Sequence, residues 1–364
     1  MRSAPGRARR LMVLALLSGL SVTGCQRAGP SISATRVAEI PDVNTPGSYM
    51  DVVALAHDGS RVATGDRGGV IRVWTADSAP QGVTVGAYRQ GITDLAFSPD
   101  GALLATIGRH RESTLRLWRD DGAGNWKETA AMPIGRCLFL RFDAAGALLG
   151  VACEADVMVL EVATRRMAAS LTAPHGEPLT AFDLSADGRR AVTGGHDGGV
   201  AVWELAHGAP LRTFSVRRSP RKHGPPKGME ADPAWAVAAA LSADGKRAAV
   251  ATIEGSVFAW DLETGAELLA DVDNDATGPP HGGLRFTADG HLLAPTGDRA
   301  GMRLIDVARK QSQLVTSRGK AFHAISVADD ATRYAVLTST LGARQLTYTV
   351  DVWRILLPAP AARR

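Results

Sequence analysis

Several things are missing from this 364-residue chain, and each absence removes a class of function. The apolar stretch Leu11 to Gly24 is 14 residues long, where a membrane-spanning helix needs about 20. No nucleophile motif, phosphate loop or dinucleotide fingerprint stands in the context it requires, and no histidines fall at the i, i+4 spacing that itself predicts a metal site. Gly68-Gly69 and Gly194-Gly195 are expected in hairpin turns, where turn chemistry would account for them. Asp271-Val272-Asp273-Asn274-Asp275 has the alternating oxygens of half a calcium loop, without the Gly and distal Glu that complete one. There is also little surplus charge. The chain carries 41 basic and 37 acidic residues, and the first 25 residues hold four of the arginines and none of the acids, so the remainder is balanced. That balance gives no support to a nucleic-acid partner, whose recognition needs a basic footprint. No cofactor is expected.

What is present begins with the N-terminus. Arg2, Arg7, Arg9 and Arg10 precede the apolar run, the pattern of an export signal that is removed and does not fold. Val22-Thr23-Gly24-Cys25 resembles the bacterial lipobox, in which small residues precede a cysteine that is acylated and becomes the new N-terminus. The resemblance implies a lipid anchor at Cys25, and several acyl chains hold a protein to a membrane where one binds marginally. Gln26, with no Asp in its place, resembles lipoproteins sorted to an outer membrane, so the expected location is the envelope, anchored and facing the periplasm. A cleavage site with an incidental cysteine is the competing reading.

The rest of the chain repeats. Ile92-Thr93-Asp94-Leu95-Ala96-Phe97-Ser98-Pro99-Asp100-Gly101 is the clearest opening of a unit made of apolar strands and tight turns. Its relatives carry Asp58-Gly59, Ala145-Gly146, Asp187-Gly188, Asp244-Gly245, Asp289-Gly290 and Asp330-Ala331. The second strands recur at intervals of 42, 45, 42, 57, 45 and 41 residues, close to the roughly 40 to 45 of a four-stranded propeller blade. The third strands carry an independent marker in Trp74, Trp118, Leu160, Trp203, Trp260, Ile305 and Trp353. Asp-Gly between apolar runs supplies the positive φ of a tight hairpin.

These units resemble the WD-repeat family across nearly the whole chain after the signal, including the dipeptide Trp260-Asp261. The resemblance implies an all-β, seven-bladed propeller that binds partners and does not catalyse. It also implies that the acids before the third-strand marker (Asp66, Glu112, Glu154, Asp197, Glu254 and Asp298) order turns by hydrogen bonding. A ring must close, because a free sheet edge exposes unpaired backbone. Ser33 to Ile40 is therefore expected to pair beside Leu346 to Trp353. The expected organisation is a signal peptide at 1–24, a lipidated tether at 25–32, a propeller at 33–356 and a tail at 357–364.

Two further constellations bear on chemistry. If Phe142 faces Leu148 across the turn 143–147, then Cys137 and Cys153 are cross-strand neighbours, and export permits a disulfide between them. Two buried thiols packing as small apolar groups are the other possibility. The rival functional class is a lipid-anchored propeller hydrolase of the lactonase kind, with a metal near the central channel. Glu112, Glu154, His196, Asp197, Glu254, His281 and His323 fall where such a site would be built, but in no ligating pattern.

The one long interval, 57 residues, contains an insertion with Arg217, Arg218, Arg221, Lys222 and Lys227. It connects an outer strand to the next inner strand, a connection that lies on the top face of the resembled family. Arg89, Arg109, Arg111, Arg136, Arg318 and Lys320 fall in other top-side connections. The expectation is a basic face that docks an acidic protein segment or an anionic envelope polymer. A merely solvated, tolerated insertion is the competing reading.

Overall fold

The computed structural model describes residues 33–45, 48–77, 79–109, 112–174, 178–216, 234–271, 283–296, 301–317, 323–341 and 346–356. Among them are seven four-stranded antiparallel sheets and no helix. The chain is a seven-bladed β-propeller. The first blade runs Met50–Leu55, Arg61–Asp66, Val70–Thr75 and Gly82–Ala87, here called strands a to d from the channel outward. The innermost strands that follow are Ile92–Phe97, Cys137–Phe142, Leu179–Leu184, Ala236–Leu241, Arg285–Phe286 and Ala324–Val327. That of the seventh blade packs against that of the first.

The hydrophobic effect builds the ring one interface at a time, since each sheet is apolar on both faces and must bury both. Seven apolar clusters result, one between each pair of neighbouring blades. In the first of these interfaces Ile71, Ile92, Leu104 and Trp118 meet. The third-strand markers share one register throughout. Trp74, Trp118, Leu160, Trp203, Trp260, Ile305 and Trp353 pair with Val62, Leu104, Leu149, Ala191, Ala248, Leu292 and Tyr334 of strand b.

Ring closure is as the sequence implies. Ser33–Ile40 is the outer strand of the seventh blade and runs antiparallel to Leu346–Leu356, from Ser33 opposite Leu356 to Ile40 opposite Val350. The first and last strands of the propeller thus share one sheet, which completes the seventh blade and closes the ring. The a–b turns behave as their residues dictate. Gly59, Gly101, Gly146, Gly188, Gly245 and Gly290 have φ between 65° and 87°, and Ala331 adopts 55° at the same place, a conformation glycine enters without a Cβ penalty.

One detail of register differs from the sequence reading. Phe142 pairs with Leu149, not Leu148, and the a–b pairing then slips between Cys137 and Phe139, so that Cys137 returns to face Cys153. Leu138 is the extra residue of a β-bulge. Equivalent slips occur at Asp51, Thr93, Thr180 and Val237 in blades one, two, four and five. A bulge adds local twist, and here it does so where the innermost strands approach the channel mouth.

Candidate functional site

The a–b and c–d turns lie at one end of the ring, called the bottom, and the b–c turns and blade-to-blade connections at the other, the top. The residue before the last of each strand a occupies a common level: Ala54, Ala96, Arg141, Asp183, Ala240, Arg285 and Ser326. Three of the seven are charged, and they meet. Arg285 places one guanidinium nitrogen 2.9 Å from Asp183 Oδ1 and the other 3.0 Å from Asp329 Oδ1. It thereby ties blade six to blades four and seven, past the small Ala240 of blade five. Asp183 Oδ2 accepts the Leu241 amide at 2.9 Å, so this one buried carboxylate also holds blade five. His57 Nδ1 lies 3.4 Å from Asp329 Oδ2.

The partners respond electrostatically as a fork flanked by carboxylates should. Burial works against the charge of Arg285, yet Asp183 and Asp329 raise its pKa above the ordinary value. Burial likewise opposes the charge of Asp329, but Arg285 and Arg141 outweigh it and hold the carboxyl low. Arg141 is different. Its Nε lies 3.0 Å from Asp183 Oδ1 but is sealed from solvent without an aligned hydrogen bond. Burial, and then the charge of Arg285, lower its pKa in spite of the acids nearby. One level nearer the top, Asp94 accepts the Leu140 amide at 2.7 Å and the Leu95 amide at 2.8 Å. Burial pushes its carboxyl up to about 6 against those bonds.

Above this charged layer the channel opens into a cavity of about 170 Å³. Asp94, Arg141, Arg285 and His323 line it together with Leu138, Phe139, Leu284 and Ile325. Smaller spaces of about 80 and 30 Å³ lie on the bottom side, and Arg141 borders both.

The top rim holds the described members of the expected basic face. Arg109 pairs with Asp51 at 3.0 Å and Arg136 with Glu154 at 2.7 Å. The Arg89 amide donates to Glu112, whose other oxygen takes Arg116 at 3.0 Å. Asp51 also takes Arg67 at 3.1 Å, and Arg67 lies over the exposed ring of Tyr49. Two of the three described arginines thus meet a carboxylate, which lowers the net charge of this part of the rim. Arg111, Arg217, Arg218, Arg221, Lys222, Lys227, Arg318, Lys320 and Cys25 lie outside the described residues.

Of the turn acids, Asp66 and Asp197 make the local bonds expected of them, whereas Glu112 and Glu154 meet Arg89, Arg116 and Arg136. Asp66 accepts the Val70 amide and the Thr45 hydroxyl, and Asp197 accepts the Gly199 amide. Asp298 and His281 lie outside the described residues. His196 stacks on Trp235 at 3.6 Å between centroids, and His323 bonds Ser339 at 2.6 Å. Among the described residues no three His, Cys, Asp or Glu side chains are grouped to hold a metal ion. The sulfurs of Cys137 and Cys153 lie at bonding distance, 1.96 Å.

Sequence reasoning had not singled out Asp94, Arg141, Asp183, Arg285 or Asp329. The available signal was a charge between two apolar neighbours in an innermost strand, as in Leu140-Arg141-Phe142, Phe182-Asp183-Leu184 and Leu284-Arg285-Phe286.

Two stretches of the chain, residues 81–119 and 168–204, match the WD domain, G-beta repeat. Each match opens at the outer strand of one blade and closes at strand c of the next, so the unit of sequence straddles two blades. Ring closure by an N-terminal outer strand follows from the same offset. No curated protein matches the chain. The WD-repeat matches agree in register with the seven-bladed fold, whose kind is suited in general to binding protein partners.

Proposed function

We propose that this protein is a lipid-anchored interaction platform of the bacterial envelope, tethered through acylated Cys25 and binding a protein partner with the top face of its ring. One observation carries the binding part: a closed ring of seven blades with two WD-repeat matches is a rigid scaffold that positions its connecting loops, and loops so held are where binding residues concentrate. The anchoring part rests on the signal-like N-terminus and on Val22-Thr23-Gly24-Cys25. Val216 and Ala234, which flank the basic insertion, stand at the top ends of their blades. The partner is an acidic protein segment or an anionic envelope polymer, recognised by the insertion and the exposed Arg89, with association weakened by salt.

Affinity purification of the intact protein from cross-linked cells tests both parts. Cys25→Ser is expected to abolish retention in salt-washed membranes, and retention by that variant removes the anchor. Changing Arg217, Arg218, Arg221, Lys222 and Lys227 together to Ser is expected to leave the melting temperature unchanged and to weaken partner recovery. Unchanged recovery with unchanged salt dependence removes the insertion from the binding surface.

A further inference from the structure

Among the described residues the channel contains two arginines, Arg141 and Arg285, and shares its acids between them unequally. Arg285 is satisfied on both sides, by Asp183 and Asp329. Arg141 must share Asp183 Oδ1 with Arg285 and meets it without alignment, while the other oxygen of Asp183 is committed to the Leu241 amide. Asp94, whose oxygens each accept a backbone amide, attracts Arg141 by charge but makes no hydrogen bond to it. Arg141 is therefore a guanidinium with acids nearby but without an aligned hydrogen bond. Its side chain is 33% exposed, and that exposure is toward the spaces of the channel, since it borders every one described above. A guanidinium presents five donors in a planar fork that matches a carboxylate, and one held in a place of restricted solvent interacts with an anion more strongly than a surface arginine does.

The cavity above it suits such an anion in size and wall chemistry. Its volume of about 170 Å³ compares with the roughly 150 Å³ that takes up benzene in an apolar protein cavity. Leu138, Phe139, Leu284 and Ile325 supply apolar walls, and the charged end lies at the floor. We propose that this channel cavity is a carboxylate-binding site, in which Arg141 receives the carboxylate at the floor and the apolar walls cover the carbon skeleton of the ligand. The carboxylate is that of a small organic acid or that of an Asp or Glu side chain reaching in from a partner. The site stands independently of the top-rim reading, because it uses none of the residues of the insertion.

The charged and titratable groups lining the cavity are Arg141, Arg285, Asp94, Asp51 and His323, with Asp183, Asp329 and His57 on the bottom side of the arginines. Asp94 and Asp51 are the acids that border the cavity; Asp51 is paired with Arg109 and Arg67, whereas the Asp94 carboxyl lies at about 6. Protonating it removes a negative charge beside Arg141, so binding strengthens as pH falls through that value. The test uses the full-length protein in detergent with benzoate as probe, benzamide as its uncharged counterpart, and sodium chloride at equal ionic strength as reference. Benzoate is expected to raise the melting temperature saturably, more at about pH 5.5 than at about pH 7.5, and benzamide is expected to leave it unchanged. Equilibrium dialysis should find one benzoate per chain. Arg141→Met should lose the shift, and Asp94→Asn should show the stronger binding at both pH values. An equal shift from benzamide or chloride, or a full shift in Arg141→Met, overturns the proposal. Should Arg141→Met not fold, Asp94→Asn decides alone: the wild-type pH dependence persisting in it also overturns the proposal. A capped glutamate peptide that displaces benzoate identifies a partner side chain as the source, and displacement by free aliphatic acids alone identifies a small molecule.

Discussion

Blades two and three face each other across one interface and are held by different means. In blade two the Trp118 indole donates to Thr106 Oγ1 at 3.0 Å, and the Tyr88 hydroxyl meets the same oxygen at 2.8 Å. Trp118 also packs closely on Gly86 of the first blade. Burial pushes the Tyr88 hydroxyl far above its ordinary pKa, so it remains a neutral donor. The Trp-to-Thr bond recurs in blade one, Trp74 to Thr64, and in blade four, Trp203 to Thr193. Blade three has neither partner: Leu160 replaces the tryptophan and Val151 the threonine. It carries the two cysteines instead, at the top ends of strands a and b. A repeat that has lost its polar tie thus has a place for a covalent one, joining the same two strands at a different point. Erosion of a signature residue does not show that a blade is weak.

Breaking the tie in blade two should have the largest effect. Trp118→Ala removes a buried indole and leaves Thr106 partly unsatisfied, which should cost about 3 to 5 kcal/mol, read as a lowered midpoint in a urea melt. Next comes blade three. The cysteines are 16 residues apart in sequence, and a cross-link of that span stabilises by about 3 kcal/mol on the chain-entropy account. Replacing both with Ala should lower the melting temperature accordingly, and reductant should lower that of the parent but not of the variant. Free, alkylated Cys137 and Cys153 in non-reduced tryptic peptides would remove the covalent tie from the comparison.

The sequence made the repeat legible because tight turns and apolar strand-length runs are local properties. Asp-Gly announced the hairpins, and each third-strand marker could be placed without knowing which blade lay beside it. Cys137 opposite Cys153 was legible for a less secure reason. The inferred register was off by one at Leu148, and the bulge at Leu138 restored the pairing, although no glycine or proline at Leu138 signals a bulge. The channel charges were not legible because Arg141, Asp183, Arg285 and Asp329 come from four different repeats. Their meaning appears only when closure brings those repeats to one axis. Arg109 and Arg136 were legible as top-side cations, but their partners Asp51 and Glu154 belong to other strands, so their neutralisation was hidden.

A smaller effect sharpens the contrast within blade two. Thr106→Val installs the residue that blade three has at this level and removes the hydroxyl that accepts from Trp118 and bonds Tyr88. The expected loss is about 1 to 3 kcal/mol, the cost of leaving buried polar groups unpaired. Combining it with Trp118→Leu should cost less than the sum of the two changes, because these residues share one bond. Strict additivity in a double-mutant cycle would show that the bond contributes nothing.

The smallest expected effect lies in the a–b turns, where blade two has Ser98 and Asp100 and blade three has Asp143 and Ala145. Ser98 donates its hydroxyl to Asp100 at 2.5 Å, and the Ala102 amide donates to the same oxygen at 3.0 Å. These bonds, the hydroxyl first, hold the Asp100 carboxyl below the usual carboxylate range. A carboxyl whose pKa is lower in the folded than in the unfolded chain contributes stability that is present above its unfolded value, near 4, and is lost as pH falls through the folded one. Asp100→Ala should therefore leave the melting temperature near pH 7 slightly reduced and flatten its decline below about pH 4. Because the side chain is exposed to solvent, the effect should stay under about 0.5 kcal/mol. Ala145→Ser in blade three adds no titrating group and should leave the acid limb of the melting curve where it was. If Asp100→Ala melts with the parent's full acid dependence, the acid sensitivity of the ring originates elsewhere, and the equivalent Asp187 and Asp244, whose carboxyls are also held low beside Ser185 and Ser242, become the next turns to change.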